Sequence, residues 1–260
     1  MKKNAFFVAS ALLLGACAQV REPQGGPKDT VAPLLLQADP PNNSTRFASQ
    51  RIVLRFSERV KLDRVRDKLL ISPPLVSPPD VLVSGGSNVI IDLNGPLAPN
   101  TTYTFNIGDA VQDLTESNGA AGITYVVSTG EWLDSLSVIG SVVNAATDLP
   151  EEGALVMLHD ELDTAGLVRG SPAYFTRTDK QGGFHLDHLR SGRFKLSALR
   201  DQNADRRFDL PNEDVAFADS LVDPVDSHVQ VLRLFRVPAD GGQDHHGPEG
   251  KSRRPGWAVG

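Results

Sequence analysis

From Leu34 onward the apolar side chains return at every second position in short runs, and that period constrains the fold more than any other feature of the chain. Ile52, Leu54 and Phe56 alternate with Arg51, Arg55 and Ser57, and Val89, Ile91 and Leu93 enclose Asp92. Tyr103, Phe105 and Ile107 alternate with Thr104 and Asn106, as Ile123, Tyr125 and Val127 do with Thr124 and Ser128. A period of two gives each run one apolar face, which is the pattern of a half-buried strand. Turn formers separate the runs at Pro40-Pro41-Asn42-Asn43, Pro73-Pro74, Pro78-Pro79-Asp80, Gly85-Gly86 and Ala98-Pro99-Asn100. Pro fixes φ, Gly allows positive φ, and Asn and Asp bond their own backbone, so each cluster stops a strand for a physical reason. Roughly seven short strands in about 100 residues is the spacing of a β-sandwich. Extended runs at 3.6-residue spacing are absent, and the one helix expected is a turn or two around Leu62 to Leu69.

The pattern repeats after a break near Gly130 to Ser135. Val138, Gly140 and Val142, then Ala154, Val156 and Leu158, then Phe184 and Leu186, then Phe194, Leu196 and Ala198, and finally Val229 to Phe235 supply a second set of strands. Thr178-Asp179-Lys180-Gln181-Gly182-Gly183-Phe184 reads as a hairpin whose glycines take positive φ. The expected class is all-β, two tandem β-sandwiches over residues 32–130 and 131–237, followed at 238–260 by a segment without any period that reads as a disordered tail.

The start of the chain is of another kind. Lys2 and Lys3, an apolar run from Ala5 to Leu14, and Leu14-Gly15-Ala16-Cys17 follow one another. A basic start, a short apolar core and small residues before the break form a secretory signal, too short to cross about 30 Å of hydrocarbon. Cys17 is the only cysteine, and it stands where a lipobox places the acylated thiol. Residues 1–16 are therefore read as a cleaved lipoprotein signal peptide, Cys17 as the lipid attachment point and residues 17–31 as a Pro- and Gly-rich flexible tether. Two or three acyl chains suffice for stable anchoring where one does not. With a single cysteine no intrachain disulfide forms, so the modules rest on core packing in an oxidising compartment. The formal charge of −6 is spread without a basic stripe, which argues against a nucleic-acid partner.

The string Gly25-Gly26-Pro27-Lys28-Asp29-Thr30 after a lipobox, then Pro33, Phe56-Ser57-Glu58-Arg59-Val60 and Ile71-Ser72-Pro73-Pro74, resembles the Ig-like lipoproteins of Bacteroidota. The likeness extends through Leu97 to Phe105 and Val127-Ser128-Thr129-Gly130. It implies that the first module is a bacterial Ig-like domain of the kind described in S-layer proteins. Residues 133–237, through Thr178-Asp179 to Phe184 and Gly192-Arg193-Phe194, resemble the prealbumin-like modules of carboxypeptidase regulatory domains. The resemblance implies an envelope protein, and brings no catalytic residue with it.

The best candidate for a site in the folded part lies after the strand Phe194 to Leu199. Asp201, Asn203, Asp205 and Asp209 stand at relative positions 1, 3, 5 and 9, with Arg207 at 7 to offer a backbone carbonyl. Alternate oxygens in a turning loop suit a hard cation that takes six to eight oxygens at about 2.3–2.6 Å. Two departures count against calcium: Arg206 occupies position 6, where such loops use Gly, and position 12 is Asn212 with Glu213 displaced by one. A solvated turn is the favoured reading of the loop and a calcium site the alternative; no cofactor is required. His185 and His188 read as surface residues, His245-His246 as a tail feature and Gly250-Lys251-Ser252 as no phosphate loop, since His245 stands where the first Gly belongs. Glu58 and Glu151-Glu152 read as turn residues. No Gly-x-Ser-x-Gly elbow occurs, and the one thiol is assigned to lipid.

The function expected is therefore non-enzymatic: a lipid-anchored outer-membrane protein, on the periplasmic or cell-surface face, acting as scaffold, spacer or binding module. Its partners would be the membrane through the lipid and an envelope protein or glycan. The alternatives are an accessory subunit of an envelope enzyme and a glycan-binding surface lipoprotein, the latter with only Trp132 and Trp257 as flat platforms.

Overall fold

The computed structural model describes residues 28–120, 122–160, 166–169, 172–226 and 228–237. The first module contains β1 (Leu35–Asp39), β2 (Arg51–Phe56), β3 (Val60–Leu62), a single-turn α1 (Val65–Lys68), β4 (Leu70–Ser72), β5 (Asp80–Ser84), β6 (Asn88–Asp92), β7 (Thr102–Gly108), β8 (Val111–Asp113) and β9 (Ile123–Ser128). An antiparallel sheet β1-β2-β6-β5 faces a second, β4-β7-β9, and β3 and β8 close one side as a two-stranded ribbon. The alternation decides which residues lie between them. Ile52, Leu54, Phe56, Val89 and Ile91 from one sheet meet Ile71, Tyr103, Phe105, Ile107, Tyr125 and Val127 from the other, all buried. Phe105 and Tyr125 meet edge to face at 5.9 Å, and the Tyr125 hydroxyl reaches the Pro40 carbonyl at 3.0 Å, which satisfies the one polar atom that ring brings into the core.

The second module contains β10 (Leu136–Asn144), β11 (Leu155–Asp160), a single-turn α2 (Gly166–Arg169), β12 (Tyr174–Arg177), β13 (Gly183–Leu189), β14 (Phe194–Leu199), β15 (Asp214–Phe217) and β16 (Gln230–Arg236). Their order is β12-β11-β14-β15-β16-β10-β13, antiparallel except for the parallel pair β10 and β16. The turn at Thr178 to Gly182 is present, with Asp179 Oδ1 accepting the Gln181 and Gly183 N–H groups, but it does not make a hairpin. β12 pairs with β11 and β13 with β10, so the turn carries the chain from one end of the strand order to the other. The physical reason is burial. Folding the order back on itself brings Tyr174 of β12 and Phe184 and Leu186 of β13 into one core with Val138, Val142, Phe194 and Leu232.

β11 breaks the alternation, since Leu155, Val156, Met157 and Leu158 are all fully buried. Val156 and Leu158 face the sandwich core, whereas Leu155 and Met157 join Phe175 and Leu199 in a separate cluster on the outer face. Leu70 of the first module, Leu167 of α2 and Phe208 cover that cluster. A strand buried on both faces reads as a continuous apolar run, and here the covering layer includes the neighbouring module.

Candidate functional site

Polar contacts reinforce the apolar junction between the modules. The Phe175 N–H donates to Ser72 Oγ at 3.1 Å, joining the edge strand β4 to β12. The Asp134 N–H donates to Thr102 Oγ1 at 2.9 Å, and the Asp134 carbonyl meets His188 Nδ1 at 2.9 Å. His188 is thus a half-buried junction residue, correcting its reading as surface. His185, by contrast, is exposed on β13 with Nε2 3.0 Å from Asp187 Oδ1. Beside the junction lies a cleft of about 510 Å³ walled by Pro73, Pro74, Leu75 and Val76 on one side and Tyr174 and Arg190 on the other. Its polar groups are largely spent on one another: Arg190 pairs with Asp160 and lies 5.0 Å from the Phe194 ring centre, and the Tyr174 hydroxyl accepts the Arg190 N–H.

The loop from Asp201 to Glu213 abuts the same junction. Asp201 follows β14 with its side chain wholly buried; Oδ2 accepts the Arg206 N–H at 3.2 Å and lies 3.9 Å from Arg177 Nη2, while Oδ1 has no hydrogen-bond partner. Asn203 Oδ1 accepts the Asp205 N–H, Asp205 Oδ1 accepts the Arg207 N–H, and Asn203 Nδ2 stands 3.5 Å from Asp209 Oδ1. These are the turn-forming bonds expected of Asx residues. Partial desolvation, with Asp205 and Glu213 nearby, pushes the Asp209 carboxyl above its ordinary value. Arg206 takes φ of 64° and Ala204 of 60°, so the left-handed turn that calcium loops assign to Gly is made here by an arginine. Its guanidinium sits 5.2 Å from the centre of the Phe175 ring.

Glu213 has a role that spacing did not reveal. It is 1% exposed, and its two oxygens accept three backbone N–H groups: Gln202 on Oε1 at 3.2 Å, and Asp209 and Leu210 on Oε2, each at 3.1 Å. It clamps both ends of the loop, so it is not the displaced bidentate ligand considered from the sequence. Among the described residues, no group of three or more His, Cys, Asp or Glu is gathered closely enough to hold a metal ion. Cys17, most of the 17–31 segment and the whole of 238–260, with His245, His246, Gly250 and Trp257, lie outside the described residues.

Asp113 performs a clamp of the same kind in the first module. Its buried carboxylate accepts the N–H groups of Thr115, Glu116, Ser117 and Asn118, folding the turn after β8. Glu58 stands near it, and its carboxyl is pushed up by desolvation and by Asp113, Asp29 and Glu116. Glu151 is tied to Asn144 and Arg200, as a turn residue should be.

With strand order, core and turn clamps in place, the likeness to known proteins falls on the first module. Residues 29–129 match the bacterial Ig-like domain. No curated protein matches the chain. Among solved structures, the N-terminal part of the bacterial S-layer protein SbsC is 14% identical, with 77% of this chain and 44% of that one covered and a TM-score of 0.28. BcpA, the major pilin subunit of Bacillus cereus, is 9% identical, with 79% and 71% covered and a TM-score of 0.26. This chain therefore spans less than half of the S-layer fragment. No described helix is long and apolar enough to cross a membrane.

Proposed function

We propose that this chain is a non-enzymatic envelope protein, held to the outer membrane by acyl groups on Cys17, whose two β modules act together as a spacer or scaffold. The observation that carries the reading is the junction. Leu70 covers the Leu155, Met157, Phe175 and Leu199 cluster, and Ser72 and Thr102 bond the backbone of Phe175 and Asp134. Modules packed in this way transmit position from an anchored end to a free end, which two beads on a loose linker cannot do. The bacterial Ig-like match over residues 29–129 agrees with a structural module. The cleft beside the junction favours a second use, presentation of a surface to an envelope protein or glycan, with Val76 at its rim 94% exposed.

Anchoring is tested by expressing the full chain and Cys17→Ala with labelled palmitate. The parent is expected in the membrane fraction with label and a cleaved amino terminus, and the variant without label. An unlabelled parent with an intact Met1 in the soluble fraction would overturn the lipid anchor.

A further inference from the structure

We propose that the outer face of β15, β16 and β10 in the second module docks a second copy of this chain, through an isologous sheet-on-sheet contact centred on Phe217, Val231 and Phe235. The proposal goes beyond the spacer reading and does not depend on the lipid.

The face continues one that the chain already covers elsewhere. Two rows of outward side chains cross the sheet: Leu155, Leu199, Val215 and Phe235 stand opposite one another on successive strands, as do Met157, Ser197 and Phe217. Their near ends lie under Leu70, Leu167 and Phe208, and Val215 is still buried. The far ends are open. Phe217 and Phe235, with Val229, Val231 and Ile139, are between 43% and 66% exposed. Leu232 and Leu234 of β16 point into the sandwich core, so Val231 and Phe235 point out by alternation, and the strand is apolar on both faces. A strand of that kind is built to be buried on both sides. β11 of the same sheet is so buried, and β16 is not.

The size of the patch suits a second copy. At roughly 200 Å² for a whole Phe side chain and 100 Å² for an aliphatic one, these five residues, each about half exposed, offer roughly 350 Å² of apolar surface. Apolar atoms make up about 60% of an interface, so the matching contact takes about 600 Å² from each copy, or about 1,200 Å² in total, the lower edge of the stable class.

Charge points the same way. β10 carries no charged residue, and those of β15 and β16 are already paired, Arg233 with Asp148 and Arg236 with Asp214. Such a face meets its own image without like-charge repulsion, whereas a strongly charged partner finds no counter-charge on it. A two-fold axis brings the same patch to both sides, with the sheets about 10 Å apart and two Phe rings from each copy between them. The 23 residues after Val237 offer only Ala239, Trp257, Ala258 and Val259 as apolar side chains besides proline, a poor cover for this face.

The test is sedimentation equilibrium of the full chain carrying Cys17→Ala, which removes both the lipid and any disulfide between copies. A monomer–dimer equilibrium is expected with Kd of about 1–100 µM, as suits an interface of this size. Val231→Lys and Phe217→Lys fall at positions more than half exposed, so circular dichroism should show both variants folded. Their Kd should rise at least about tenfold, because each buries an unpaired ammonium in a dry contact. Leu36→Lys, comparably exposed on the first module, is the control and should leave Kd unchanged. A parent that stays monomeric at several times the upper end of that range, or a dimer as tight with both lysines as without, would overturn the proposal. So would a monomer that dimerises only once residues 238–260 are deleted, since that segment would then be the cover. Dilution below Kd leaves single chains, so the junction between the modules and the anchor at Cys17 are tested apart from this contact, and neither fails with it.

Discussion

Replacing Glu213 by Gln removes one charge and one acceptor from a buried clamp, and the structure sets the size of the effect. The carboxylate is 1% exposed and accepts Gln202 N–H at 3.2 Å on one oxygen, and Asp209 and Leu210 N–H at 3.1 Å on the other. The amide of Gln keeps its carbonyl on the two-donor side at best, and then turns its own N–H₂ toward the Gln202 N–H. One hydrogen bond to a charged group is lost, two are weakened, and a buried donor is left unmatched. At about 1.5–3 kcal/mol for a net bond to a charged group, partly offset by relaxation of an exposed loop, the loss is about 2–4 kcal/mol. For a module of about 100 residues that lowers its melting temperature by roughly 10–25 °C. Differential scanning calorimetry of the full chain should show the second-module transition moving while the first stays. Hydrogen exchange should accelerate at Gln202, Asp209 and Leu210. Glu152→Gln, at an exposed turn position beside Gly153, is the control and should change nothing. A Glu213→Gln chain within about 0.5 kcal/mol of its parent would refute the clamp, since that is the size of an ordinary surface substitution.

Three further outcomes are expected. Burial works to raise the Asp113 carboxyl, but its four backbone N–H bonds win and hold it below the ordinary value, so its contribution is present above the unfolded carboxylate range and fades as pH falls through the lower folded pKa; Asp113→Asn should destabilise the first module at pH 7 and flatten its acid limb in near-ultraviolet circular dichroism. Glu58 is displaced upward, so its ionised form opposes folding; Glu58→Gln should raise the first module's melting temperature at pH 7, with the gain vanishing on acidification below the unfolded Glu value of about 4.3. A Cβ at Gly140 would stand 2.3 Å from the Gln230 carbonyl oxygen and 2.6 Å from the Phe184 ring, so Gly140→Ala should cost about 1–3 kcal/mol in urea denaturation.

Much of the fold is legible in the sequence because β2, β6 and most of β7 in the first module bury alternate residues. Ile52, Leu54 and Phe56, and Tyr103, Phe105 and Ile107, point inward as their alternation requires, and the short helix falls at Val65–Lys68 within the stretch expected for it. The β3 and β8 ribbon escapes a reading by period because three residues each cannot establish one. The pairing of β12 and β13 differs from the expected hairpin because a turn fixes the reversal of the chain but not its ladder partner, which core burial decides. The junction does carry a sequence signal: Leu155 and Met157 spoil the alternation of β11, and a doubled apolar face means a cover on both sides. At the candidate site, spacing locates the loop, whereas the role of Glu213 as clamp depends on contacts with backbone groups up to eleven residues away.

The central claim is that the two modules are packed against each other as one stiff unit. Spin labels at Arg55→Cys and Lys180→Cys, on a Cys17→Ala background, place one probe on an exposed strand position of the first module and one on an exposed turn of the second. Pulsed dipolar spectroscopy should return a single narrow distance distribution, broadened by Leu70→Ala, which uncovers the shared cluster. A broad distribution in the parent, unchanged by Leu70→Ala, would contradict the account.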